Sequence, residues 1–241
     1  MLYCDSHIHI LPHMDNGPQR PEESISMLRI LKNARTRRII VTPHFDPQME
    51  SCSTFLLRRK ESFELLRKSA PVDALERMHL LLSAEVTLCP GVSRIPQIEK
   101  LLIPHTRCLP ISLPIGKYTK ECVTEISHLL HKRKIIPIIC SLERYFLMYS
   151  KEDYKNLVSL PYTVFQIGTM ALGNREIVYE AARLVNTGHT VLLGSNAHGA
   201  IRRPPLDEHT ASKIKQQCGE TVFKILALHT DAYFHKAFSN T

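Results

Sequence analysis

No tryptophan occurs in this 241-residue chain, and aromatic residues make up only 7% of it. With no basic segment interleaved with aromatics, the composition argues against a protein that stacks single-stranded bases. No apolar run approaches the ~20 residues that a membrane-spanning helix needs, so no span is expected. The segment Met1-Leu2-Tyr3-Cys4-Asp5 lacks a basic stretch followed by an apolar one, which speaks against a secretory signal and for the cytoplasm. The seven cysteines include no Cys-x-x-Cys pair, which argues against a zinc ribbon or redox motif and fits reduced thiols. Repeats, low-complexity tracts and linker-like segments are also missing, so residues 1–241 are read as one domain.

What is present is a globular composition, 44% hydrophobic, with a net charge of +8 and a pI near 9.2. The positive charge is diffuse, from Arg35-Thr36-Arg37-Arg38 to Arg202-Arg203, which suits solvated helix faces and leaves room for an acidic or phosphorylated ligand. Short apolar runs read as buried strands: Ile39 to Val41, Leu80 to Leu82, Ile135 to Cys140, Tyr162 to Ile167 and Thr190 to Leu193. Amphipathic stretches of helical length separate them: one opening at Pro21-Glu22-Glu23, then 55–68, 122–132, 175–186 and 210–228. Strands alternating with helices over short links imply a parallel α/β sheet, open or closed into a barrel.

In such folds ligands bind at the carboxyl ends of the strands, and the polar residues of this chain collect there. Asp5-Ser6-His7-Ile8-His9 puts two imidazoles on one face of an extended segment, because residues two apart point the same way. His44 follows the strand ending at Val41, Glu85 the one ending at Leu82, and His198 the one ending at Leu193. Neutral imidazoles with a carboxylate suit Zn, Mn or Fe. A lone His-x-His is ordinarily a surface pair; several histidines at equivalent strand ends point instead to one shared site. His13 reads as a loop residue, and His128, His131, His209, His229 and His235 read as helix-surface or core residues. Cys140 reads as a small buried hydrophobe.

The order and spacing of these pieces resemble the polymerase-and-histidinol-phosphatase superfamily, and within it the bacterial capsule and exopolysaccharide tyrosine phosphatases. The pieces are Asp5-Ser6-His7-Ile8-His9, Asp15-Asn16-Gly17-Pro18, Thr42-Pro43-His44, Ala84-Glu85, Glu143-Arg144, Gln166-Ile167 and Ser195-Asn196-Ala197-His198. The resemblance implies a distorted (β/α)7 TIM-like barrel and metal-dependent hydrolysis of phosphotyrosine monoesters. The implied substrate is the tail of a bacterial tyrosine kinase that controls polysaccharide export. It puts His7, His9, His44, Glu85 and His198 on metal-ligand positions, with Asn196 as a weak further ligand. It puts Arg144 and Arg203 on phosphate-holding positions, and His198 beside the leaving phenolate as its proton donor. The expected cofactor is a divalent metal, with Mn first and Fe or Zn as alternatives.

The chain also departs from that pattern. Asn16 and Asn196 stand where the family has aspartate, Ser112 where it has glutamate, and Ser141 where it has histidine. Arg35 occupies a helix-to-strand turn that usually carries glycine. A multinuclear divalent cluster needs carboxylates to offset its charge, and among the matched positions only Glu85 remains acidic. One metal at most with useful affinity is therefore expected, with turnover slowed. The alternative reading is a weak or inactive relative that binds a phosphoprotein without turning it over, and a remoter one is hydrolysis of a small metabolite phosphate.

Overall fold

A computed structural model describes residues 2–239. From the amino end run β1 (Cys4–Ile8), α1 (Pro21–Asn33), β2 (Arg38–Val41), β3 (His44–Phe45), α2 (Cys52–Ser69) and α3 (Val72–Leu75). The middle of the chain supplies β4 (His79–Leu82), β5 (Glu85–Thr87), β6 (Cys108–Ser112), α4 (Lys120–His131) and β7 (Ile136–Ile139). The last part holds α5 (Leu142–Met148), α6 (Lys151–Val158), β8 (Val164–Gly168), α7 (Arg175–Asn186), β9 (Thr190–Gly194), α8 (Glu208–Cys218) and α9 (Glu220–Ser239).

All strand pairings are parallel and fall into two ladders, β1-β2-β4 and β3-β5-β6-β7-β8-β9. The gap between them has a covalent cause. Pro43 has no N–H to give a ladder, and it separates β2 from β3 opposite Ser83-Ala84, which separates β4 from β5. Bonds from Ser83 N to Val41 O (2.8 Å) and Glu85 N to Pro43 O (3.0 Å) bracket the break, so each pair of pieces is one bent strand. Counting β2/β3 and β4/β5 once each leaves seven strand positions. The two ends of the series meet where Asn196 N donates to His7 O (2.8 Å), His9 N donates to Ala197 O (2.9 Å), and Ile8 pairs with Ala197 in a parallel bridge. The result is the distorted seven-stranded barrel implied by the family resemblance.

β1, β6 and β8 are buried on both faces, as a parallel ring covered by helices requires. Phe45, Phe55 and Phe165 are fully buried, each contributing about 1.5–3 kcal/mol of transfer free energy. Caps fix where helices begin: Ser51, Thr119, Ser150, Asn174 and Asp207 each accept a first-turn N–H. The apolar stretch 210–228 reads from the sequence as one helix, but Gly219, at φ 86°, divides it into α8 and α9, and α9 runs on to Ser239. Arg35 takes the left-handed turn at φ 59° that glycine would take without strain.

One buried cation secures the break that carries Glu85. Arg59 on α2 donates to Ser83 O (2.6 Å) and Lys100 O (3.1 Å), with its guanidinium 5.7 Å from the Phe55 ring centroid. Burial lowers its pKa to about 10, which still leaves it charged at neutral pH. No helix among the described residues is long and apolar enough to cross a membrane.

Candidate metal centre

At the carboxyl ends of the strands, Glu85 Oε2 lies 3.2 Å from His7 Nε2, 3.3 Å from His9 Nε2 and 3.1 Å from His44 Nδ1. His7 and His9 bring their Nε2 atoms within 3.0 Å of each other. Gly194 makes room for this arrangement. A Cβ there would sit 2.6 Å from His7 Cβ and 2.9 Å from Gln166 Nε2, so no larger residue lets β9 come this close to β1.

The far side of each ring fixes its protonation. His7 Nδ1 lies 3.0 Å from Gln166 Oε1, an amide oxygen that can only accept, so Nδ1 carries the hydrogen. The Gln166 amide is oriented by Ser141 N, which donates to Oε1 (2.9 Å), and by Gly194 O, which accepts from Nε2 (3.3 Å). His9 Nδ1 lies 2.7 Å from Asp15 Oδ2 and donates to that carboxylate. Asp15 is held in turn by Gly17 N (2.8 Å) and His44 N (2.9 Å). In their neutral form, with the hydrogen on Nδ1, the two rings would each turn an Nε2 lone pair toward the other and toward a carboxylate oxygen. Two lone pairs and an anion at about 3 Å repel one another unless a positive charge stands among them.

A divalent cation meets that need, and two imidazole nitrogens with one carboxylate oxygen suit Zn, Mn or Fe. Outer hydrogen bonds like those of Gln166 and Asp15 orient histidines for metal binding. Without the cation a proton takes the same place. Burial disfavours charge on His7, yet neighbouring Cys140 and Glu85 carry its pKa well above the ordinary histidine value. Burial would likewise raise Glu85, but the His7 charge and hydrogen bonds from His44, His7 and His9 hold it well below the usual carboxylate range.

His198 joins from the other side. Its ring stacks on His9 with centroids 3.9 Å apart and planes 13° from parallel, and its Nε2 lies 3.1 Å from Asn196 Oδ1. Ligand atoms of His9, His44 and His198 also lie within 4.8 Å of one another. Lone pairs lie in the ring planes, and stacked rings do not aim theirs at one point. His7, His9 and Glu85 are thus the group that fits an ion as it stands. Burial, then the His9 and Arg203 charges, lowers His198 to about 2, so its ring is neutral in this arrangement.

Residues 3–233 match the family described as capsular polysaccharide synthesis, CpsB/CapC. The chain belongs to this family. Among solved structures it is similar to a chain from the crystal structures of YwqE from Bacillus subtilis and CpsB from Streptococcus pneumoniae, described as unique metal-dependent tyrosine phosphatases. That likeness has a TM-score of 0.71 at 21% identity and covers 94% of this chain and 95% of the other. It establishes a shared fold. Phospho-2-dehydro-3-deoxyheptonate aldolase from Thermotoga maritima aligns with a TM-score of 0.45 at 9% identity, over 93% of this chain and 70% of the aldolase. No curated protein matches the sequence significantly.

Of the candidate site residues in this CpsB/CapC-family sequence, His7, His9, His44, Glu85 and His198 come together. Arg203 is tied to the site through its backbone, whose O accepts from His198 N (3.0 Å), and Arg144 lies within electrostatic reach of it: burial lowers the Arg203 pKa, Arg144's positive charge lowers it further, and Glu85 and Glu143 pull it up. Two guanidiniums close enough to repel make a place for an anion. Asn196, expected as a weak ligand, has its amide engaged at both ends, Nδ2 giving to Ser141 Oγ (2.8 Å) and Oδ1 facing His198. Asn16 is exposed and Ser112 is buried at the end of β6, and no hydrogen bond among the described residues joins either side chain to the histidines.

Two further residues act on the site although the sequence pattern assigns them nothing beyond a place in the family motifs: Asp15 and Gln166. Only strand adjacency and the turn at Gly17 bring them behind His9 and His7. Asp15→Asn is expected to weaken Mn affinity by about 10- to 100-fold, since an amide holds the His9 Nδ1–H less well than a carboxylate. Calorimetric titration with Mn measures this, and unchanged affinity would remove Asp15 from the account.

Proposed function

We propose that this chain is a metal-dependent protein-tyrosine phosphatase built as one catalytic domain. Its proposed substrate is the phosphotyrosine tail of a bacterial kinase that controls capsule or exopolysaccharide export, and its proposed place of action is the cytoplasm. The observation that carries the reading is the pair of Nε2 lone pairs on His7 and His9 facing Glu85 Oε2. A divalent cation held there, Mn in the first instance, would supply Lewis acidity and lower the pKa of water.

The chain's own residues do the rest. His7, His9 and Glu85 hold the cation, and His44 stands against the same carboxylate oxygen. Arg144 and Arg203 grip the phosphoryl oxygens, for which the planar guanidinium fork is suited. His198 faces the ester from beside His9. In the hydrolysis, water oxygen bonds to phosphorus as the bond from phosphorus to the phenolic oxygen breaks, and a proton from that water leaves with the tyrosine. His7, His9 and Glu85 are nearly inaccessible, at 1%, 1% and 3% exposure, so a phosphate must reach inward to meet them. The aromatic ring of tyrosine gives that reach, and the short serine side chain does not.

The neutral Ser141 and Asn196 support the further proposal that turnover is slow, and they favour phosphoprotein binding as the second reading. The deciding assay releases phosphate from matched phosphotyrosine and phosphoserine peptides with added Mn. The phosphotyrosine peptide is expected to be hydrolysed at least about tenfold faster, and EDTA to abolish the release. Chelator-insensitive turnover, or saturable peptide binding with no turnover at all, would overturn the enzymatic reading.

A further inference from the structure

Ser141 lies two residues past the end of β7, directly after Cys140, and Asn196 lies two residues past the end of β9. Both take left-handed backbone, at φ 54° and 49°. Strained residues of this kind cost about 1–3 kcal/mol each and persist where their surroundings over-determine them. Here the surroundings are visible. Ser141 N is pinned by Gln166 Oε1 and Asn196 N by His7 O, so both residues hang from groups that also set His7. Their side chains meet out of solvent, Asn196 Nδ2 donating to Ser141 Oγ at 2.8 Å.

A carboxamide is directional, because its nitrogen only donates and its oxygen only accepts. With Nδ2 given to Ser141, Oδ1 turns to His198 Nε2, and that nitrogen must bring the hydrogen. His198 Nδ1 then carries a lone pair. It is buried and has no hydrogen-bond partner in the protein. The reverse arrangement, with the amide turned over, would place an N–H at Nδ1 and bury a donor with nothing to accept it, at a cost of about 1–3 kcal/mol. An unshared lone pair is the better tolerated of the two.

We propose that Ser141 and Asn196 are positioning residues that lock His198 in the Nε2–H tautomer, so that Nδ1 keeps an unshared lone pair in the ring stacked on His9. The role rests on the phosphatase reading, since it fixes how His198 stands against His9, which that reading makes a metal ligand. It also accounts for the two neutral residues jointly. Each replaces a charged or ligating group, and together they form one hydrogen-bonded brace.

The test is long-range proton–nitrogen NMR of the full chain with labelled histidine, stripped of metal, with His198 assigned by difference against His198→Gln. The wild type should show a protonated Nε2 and an unprotonated Nδ1. Asn196→Asp, whose carboxylate only accepts, should keep that pattern, while Asn196→Leu and Ser141→Ala should give mixed tautomers. Under Mn, kcat for a phosphotyrosine peptide should fall at least about tenfold in Asn196→Leu and recover in Asn196→Asp. A wild-type spectrum with the hydrogen on Nδ1 overturns the proposal, whether or not any variant folds. So do identical tautomers in the Leu and Asp variants. The spectrum is read without metal or turnover, so failure of the phosphatase reading appears separately, as a correct tautomer in a protein that hydrolyses nothing.

Discussion

Glu85→Gln should lower kcat/KM for a phosphotyrosine peptide by about a thousandfold or more and strip the protein of its cation. Three imidazole nitrogens lie within 3.3 Å of one oxygen of this carboxylate. A thousandfold is about 4 kcal/mol, in keeping with the several kcal/mol that a metal supplies to transition-state charge stabilisation. Glutamine preserves shape and the β5 backbone pairing but removes the anionic charge, so circular dichroism should stay native while activity and metal vanish. A variant retaining a tenth of wild-type activity and its metal would contradict the assignment. Stability carries a second signature in metal-free protein. The folded pKa of Glu85 lies below its unfolded value, so its contribution is present above about pH 4 and fades as pH falls toward the folded pKa. The stability gap between wild type and Glu85→Gln should therefore narrow on acidification below about pH 4.

The second large effect belongs to the arginines. Arg144→Ala and Arg203→Ala should each lower kcat/KM by about 10- to 100-fold, the range of a lost charge-assisted hydrogen bond of about 1.5–3 kcal/mol. Lysine at either position should restore only part of the loss, because an ammonium cannot present the guanidinium fork. Two groups gripping one phosphate act as a unit, so the double variant should lose less than the product of the single losses. Competition by inorganic phosphate should weaken in the same order. Full activity in both lysine variants would show that only net charge at the mouth matters.

The parts of this molecule written in local pattern were legible before the structure. His7 and His9 two apart at a strand end, Glu85 after Leu80 to Leu82, and His198 after β9 all follow from strand alternation and the strand-end rule. The ring of seven came from family resemblance. The alternation of elements alone left an open sheet and a barrel equally available. Pro43 was visible, yet its consequence, two bent strands broken side by side, depends on which strand lies opposite it. Gly219 was visible too, and the apolar periodicity running through it hid a helix break. The roles of Asp15 and Gln166 were illegible for a different reason. Each contacts a histidine from two strands away or around a turn, and no local period marks such a residue. The same holds for the Ser141–Asn196 bond, which joins positions 55 residues apart.

Elemental analysis of the purified protein, beside its His7→Ala and Glu85→Gln variants, bears most directly on the claim that His7, His9 and Glu85 hold a catalytic cation. About one tightly held transition-metal ion per wild-type chain, and next to none in either variant, is the expected outcome. A wild-type protein with no bound metal, unable to take up Mn under calorimetric titration, would contradict it.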